Sequence, residues 1–226
     1  MSASMTTARS ALVLGATGLV GQSCLALLLQ DSRYAKVHAV VRTPLGQEHP
    51  RLQAHVVSFT ALGLTVGEIG AADVFCCLGT TIKKAGSREA FRQVDYEYPL
   101  AAAQSALQGG AQQFLLVSSM GANPDSWVYY NRIKGEVERD IAALPFATVH
   151  ILRPSLLLGE RDERRVGETI AKAAMKVVKP LMVGGASKYR AIAGATVARA
   201  MVALAQKEQP GRHIHESDAL ERLGAE

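Results

Sequence analysis

The sequence predicts an α/β protein built as a doubly wound parallel sheet, with a small, mostly helical C-terminal lobe. Three observations carry that expectation. Short apolar runs alternate with longer helix-periodic stretches from residue 11 to residue 154. The runs are continuously apolar, as strands buried on both faces require, and not alternating as in a half-exposed sheet. A glycine-rich turn, GATGLVG, joins the first run to the first helical stretch.

Taken in order, ALVL (11–14) is the first strand and leads into a helix over about 19–30. KVHAVVR (36–42) and AHVVSF (54–59) are the second and third strands. DVFCCLG (73–79) is the fourth and is followed by a helix over about 87–108. QQFLLVSS (112–119) is the fifth, with a helix over about 126–144 after it, and TVHILRP (148–154) is the sixth. Pro154 ends that strand because it has no N–H for the ladder. Beyond it, GETIAKAAMKVVK (167–179) and ATVARAMVALAQ (195–206) read as helices. What remains after Pro154 is short for a separate domain. The chain is therefore expected to form one domain over 1–226, with 155–226 supplying most of a substrate lobe.

Composition narrows the class. The chain has 226 residues, 48% of them apolar and 20% charged, enough for one sizeable core in a globular protein. A net charge of +5 suits an anionic ligand or a solvated surface equally. The run ERDERR (160–165) carries both signs, which points to a solvated loop and away from a nucleic-acid partner. Cys24, Cys76 and Cys77 are odd in number and lack CxxC spacing, so neither a disulfide framework nor a metal site is expected. Reduced thiols suggest a cytoplasmic location. No run has the length of a signal-peptide core or a membrane span.

The turn GATGLVG places Gly15, Gly18 and Gly21 between the first strand and first helix. The spacing is GxxGxxG, so the match to a dinucleotide-binding (Rossmann) turn is one of role and not of pattern. Gly15 permits the tight turn. A side chain at Gly18 would block a pyrophosphate, and Gly21 lets the helix pack closely. Thr17 lies in the turn, and the N–H groups of Leu19 and Val20 at the helix start would face the phosphates. The bland alternative is a turn needed only for packing. Strand two ends in VVRT, where an NAD site would carry a carboxylate for the ribose 2′-hydroxyl. Arg42 suits a 2′-phosphate instead, so NADP(H) is expected in preference to NAD(H). After strand four, Leu78, Gly79 and Thr80 fall where a cofactor ribose would lie; Thr80 and Thr81 could equally cap the next turn.

The stretch SSMGANPDSWVYYNRIKGEVERDI (118–141) sets Lys134 one helical turn after Tyr130. A free tyrosine titrates near ~10, and a lysine on the same face favours the phenolate. Tyr129 should turn about 100° away and pack or line the pocket. Lys83 and Lys84, beyond GTT, could attract an anionic substrate or a phosphate, or be plainly exposed.

The glycine turn, the strand ending SSMG and the segment YNRIK together resemble the short-chain dehydrogenase/reductase superfamily. The blocks FCCLGTTIKKAG, FRQVDYEYPL, FLLVSSMGA and KGEVE are similar to the atypical, Tat-interacting-protein-like oxidoreductases. The resemblance covers about residues 11–160 well and the rest weakly. It implies a catalytic Ser119, Tyr130 and Lys134, with Ser118, Tyr130, Lys134 and Pro154 also meeting the cofactor. The backbone from Pro154 to Leu157 would run past the nicotinamide carboxamide. The family's frequent asparagine in the helix after strand four stands here as Asp95, which puts its proton relay in doubt. Arg153 could contact a phosphate or substrate, or form a structural salt bridge. The expected activity is NADPH-dependent hydride transfer to or from a small carbonyl or alcohol, by a monomer or homodimer. The competing readings are an NADPH-binding redox sensor with little catalysis and an epimerase of the extended branch.

Overall fold

The computed structural model describes residues 9–58, 61–158, 190–207 and 209–225. Nine strands are described: β1 (Arg9–Leu14), β2 (Tyr34–Val41), β3 (Leu52–Val56), β4 (Asp73–Cys76), β5 (Gln113–Val117), β6 (Thr148–Arg153), β7 (Leu157–Leu158), β8 (Ile192–Ala193) and β9 (Gly211–Glu216). Seven of them form one sheet in the order β3-β2-β1-β4-β5-β6-β9. Every neighbouring pair in it is parallel. β7 and β8 make a separate short parallel pair.

Consecutive side chains of β1 show why the strands read as unbroken apolar runs. Ala11 and Val13 pack into one core, Leu12 and Leu14 into another on the opposite face. Helices cover both faces. α1 (Leu19–Gln30), α7 (Gly194–Ala205) and α8 (Ser217–Leu223) pack together on the first. α2 (Leu62–Ile69), α5 (Tyr98–Gln108) and α6 (Tyr129–Ala142) lie on the second. Between β4 and α5 come the short helices α3 (Ile82–Ala85) and α4 (Arg88–Arg92) and a π-helical segment, Gln93–Glu97.

The chain winds outward from β1 to β3, then crosses back to start β4 beside β1 and winds the other way. That reversal opens a crevice at the carboxyl ends of β1 and β4, the usual ligand position in such sheets. The opposite end is tied by a buried carboxylate. Asp73 accepts hydrogen bonds from Arg9 (2.6 Å), Tyr34 (2.8 Å) and Gln113 (3.2 Å), joining β1, β2, β4 and β5. Burial and the Asp73 carboxylate push the Tyr34 phenol far up, so it stays a donor.

The expected fold is correct, and several boundaries move. β4 ends at Cys76 and β5 at Val117, so residues 77–79 and 118–119 leave the sheet and become available to the crevice. The single helix expected over 87–108 is interrupted by the π-helical segment. Pro99 explains the position of the break, because it has no N–H to give the carbonyl of Asp95 four residues earlier. Six elements were not foreseen: α2, α3, β7, β8, β9 and α8. β9 belongs to the central sheet and α7 packs on α1, so the described part of 155–226 adds to the main body. The helix expected over 167–179 and the charged run 160–165 lie outside the described residues.

Candidate functional site

The turn after β1 is shaped by contacts that exclude any side chain. Gly15 has φ +78°, and a Cβ there would meet the Cys77 carbonyl oxygen at 2.6 Å. A Cβ on Gly21 would stand 2.1 Å from the Gly15 carbonyl oxygen, so α1 packs directly onto the turn that precedes it. Gly18 differs. Its nearest neighbour, the Gly15 carbonyl, would be 3.2 Å from an added Cβ, and the residue lines the crevice. Gly18 is also the N-cap of α1 and has no side chain to satisfy the helix's first N–H groups.

The crevice has two halves. The first, about 570 Å³, runs from Gly15, Thr17 and Gly18 to Arg42 at the end of β2. The second, about 750 Å³, runs from Leu19 and Val20 to Ser118, Ser119, Tyr130, Lys134 and Pro154. Leu78, Gly79 and Thr80 line both. Every residue expected at the site therefore lines one half or the other except Gly21, which acts through packing.

Tyr130 and Lys134 share a face of α6, as their spacing requires, and both reach the second half. The Tyr130 ring rests on Phe91 of α4, with centroids 5.3 Å apart. Tyr129 turns away: its hydroxyl donates to the Arg88 carbonyl at 3.0 Å, and the Arg88 and Arg132 guanidinium groups lie over its ring. Ser118 and Ser119, just past β5, each carry a buried hydroxyl with no hydrogen-bond partner among the described residues. Buried hydroxyls left this way are costly, which marks them as groups shaped for something the cleft holds. The exits of β5 and β6 are joined by Ser118 N–H to the Leu152 carbonyl (2.8 Å) and Met120 N–H to the Pro154 carbonyl (2.9 Å).

A partner for Lys134 comes from the π-helical segment. The Lys134 ammonium lies 2.7 Å from Asp95 Oδ1, and both side chains are buried. Asp95 Oδ2 also accepts the Thr80 N–H at 2.9 Å, so one carboxylate ties the β4 loop to α6. Burial acts to lower the lysine's pKa, but the Asp95 carboxylate and the Tyr130 hydroxyl outweigh it and hold the ammonium above its ordinary range. The sequence marked Asp95 only as a departure from a family pattern. Its pairing with Lys134, 39 positions away, has no local signal, and Pro99 is the nearest clue to the wider turn that carries it.

Other residues take structural roles. Thr81 Oγ1 accepts the Lys84 N–H and caps α3. Arg153 pairs with Glu138 at 2.6 Å and Glu216 at 3.3 Å, which settles it as a salt bridge between α6 and β9. Cys76 is fully buried, and burial pushes its thiol up to about 12. Cys77 lines the floor of both halves of the crevice, and its thiol is raised by a hydrogen bond to Cys24 and by burial. Among the described residues, no group of three or more His, Cys, Asp or Glu is arranged to hold a metal ion. No described helix is long and apolar enough to cross a membrane.

A parallel sheet in this order, with a glycine turn after β1 and serine, tyrosine and lysine gathered beyond β5, places the chain in the short-chain dehydrogenase/reductase superfamily, in its atypical branch. No family model matches the chain. Among curated proteins, it is 37% identical over 198 residues to Protein HTATIP2 of Rattus norvegicus, covering 86% of this chain and 80% of that one. It is 34% identical over 203 residues to the mitochondrial protein FMP52 of Debaryomyces hansenii, covering 88% of each. The chain belongs to this HTATIP2/FMP52, or Tat-interacting-protein-like, family. Among solved structures, MoeE5 in complex with UDP-glucose and NAD superposes with a TM-score of 0.66 at 16% identity, over 96% of this chain and 81% of that one. The oxidoreductase ylbE of Lactococcus lactis gives 0.66 at 16% identity, over 96% and 97%. Both show the shared fold.

One expectation is overturned here. Relatives from several yeasts carry the designation mitochondrial, which points away from the cytoplasmic location inferred from the cysteines. Reduced thiols argue against an oxidising compartment but do not distinguish the cytosol from the interior of an organelle.

Proposed function

We propose that the chain is an NADPH-dependent oxidoreductase acting on a small carbonyl or alcohol, with Ser119, Tyr130 and Lys134 as its working residues. One observation carries this: Tyr130 and Lys134 face the same cleft as two buried hydroxyls, Ser118 and Ser119, that have no partner among the described residues. The residues present suit a nicotinamide dinucleotide. The uncapped start of α1 offers N–H groups to a diphosphate, Gly18 leaves room beside it, and Arg42 stands in the same half of the cleft for a 2′-phosphate. The cofactor, when bound, supplies or accepts the hydride.

The protein's part in carbonyl reduction is to place and move a proton. Ser119 Oγ donates a hydrogen bond to the substrate oxygen, and Tyr130 Oη delivers its proton to that oxygen as negative charge develops there. The Lys134 ammonium favours the phenolate that remains, and Asp95 keeps the ammonium charged and aimed into the cleft. Ser118 and Pro154, on the same wall, meet the cofactor. In alcohol oxidation the same groups work in reverse, with Tyr130 as the base.

The test is a panel of aldehydes, ketones and quinones with NADPH. Tyr130→Phe is expected to lose roughly 10²–10⁴-fold in turnover, the usual worth of a positioned acid, while binding NADPH as before. Undiminished turnover would remove Tyr130 from the mechanism. A wild-type protein that binds NADPH but reduces nothing would favour a sensor.

A further inference from the structure

The two halves of the cleft meet at a neck lined by Gly18, Gly79, Thr80 and Lys84. On one side stands the start of α1, whose N–H groups have no side-chain cap. The other side is α3, a short helix closed at both ends. Thr81 Oγ1 accepts the Lys84 N–H at 3.2 Å, and Gly86, with φ +88°, donates its N–H to the Ile82 carbonyl at 3.0 Å. The backbone carrying Lys84 is thus held, while its side chain is exposed and, among the described residues, makes no ion pair or hydrogen bond. Lys83, its neighbour, lines neither half.

We propose that Lys84 is a phosphate-binding residue that closes over this neck and pairs with the diphosphate bridge of the dinucleotide, opposite the α1 N-terminus. The inference rests on the cofactor reading above. A diphosphate carries more negative charge than a helix terminus, worth about half an elementary charge, can balance. A lysine ammonium acts there as a mobile point charge. Arg42 lines only the outer half of the cleft, so the two cations divide the work: Arg42 takes the 2′-phosphate and Lys84 the bridge.

The test uses three probes measured by calorimetry. NADPH has both phosphate groups, ADP-ribose has only the diphosphate, and adenosine 2′-monophosphate has only the 2′-phosphate. Lys84→Met is expected to weaken NADPH and ADP-ribose by roughly tenfold or more, the usual worth of a charge-assisted contact, and to leave adenosine 2′-monophosphate unchanged. Lys83→Met should change none of the three, and an unchanged circular dichroism spectrum would establish that each variant is folded. Unaltered affinity for ADP-ribose in Lys84→Met, or a loss confined to adenosine 2′-monophosphate, would overturn the assignment while leaving the cofactor reading intact. A wild-type protein that binds none of the probes would overturn both.

Discussion

Asp95 and Lys134 form a buried ion pair in which each group depends on the other. Removing one charge from such a pair strands its partner in a medium that solvates it poorly, whereas removing both is far less costly. Asp95→Ala is therefore expected to destabilise the fold by about 3–5 kcal/mol in urea unfolding. Adding Lys134→Met should recover much of that loss. A double variant as unstable as the sum of the two single ones would mean that the pair contributes packing and not charge balance. Legibility at this scale was uneven. Tyr130 and Lys134 were readable because a helix fixes what lies four residues apart, and Arg42 because a strand end is a fixed address in this fold. The Asp95 pairing was not readable, since it joins two helical segments across the interior.

At the scale of elements, the two sheet edges contrast with the centre. The inner strands announced themselves by apolar runs. β9, GRHIHE, is mostly polar, and its one large apolar side chain, Ile214, is exposed, so no apolar run marks it and its pairing with β6 is tertiary information. Likewise α2 contains Gly63 and Gly67, poor helix formers, and it packs closely against α5. The β6–β9 edge has a consequence for acid stability. His150 Nδ1 and His215 Nε2 are 3.1 Å apart, and His213 stacks on His150. One ring nitrogen of the His150–His215 pair must donate and the other accept, so the pair needs one partner neutral. Burial first, then the neighbouring histidines, lower His150 to about 4; burial, His213 and Lys207 lower His215 to about 4. The unfolded chain takes up these protons near the ordinary value of 6.5 and the folded protein only near 4. Their contribution is thus fully present above 6.5 and is lost as the pH falls toward 4. The melting temperature should drop across that window, and the combined His150→Gln and His215→Gln variant should drop less steeply. Parallel curves for the two proteins would show that these imidazoles do not govern acid sensitivity.

For the molecule as a whole, the decisive feature is the reversal of winding between β1 and β4, which gathers the carboxyl ends of β1 to β6 around one cleft. Ligand binding there should be felt by the entire fold. A ligand at 100 times its dissociation constant stabilises by about 2.7 kcal/mol, or roughly 5–10 °C for a chain of this size. NADPH is expected to raise the melting temperature well above NADH at equal concentration, and Arg42→Ala should remove the difference. Equal shifts with both nucleotides in the wild type would refute the preference for NADP(H). The sequence by itself determined the class of sheet, the bounds of α1 and the place of the glycine turn, because burial on both faces, helix periodicity and steric exclusion are all local constraints. Only the tertiary structure decided that 211–216 completes the sheet, that a π-helical turn brings Asp95 to Lys134, and that Lys84 stands at the neck of the cleft. Those facts depend on pairings between distant segments, whose free energy comes from burial and charge neutralisation that exist only once the chain has folded.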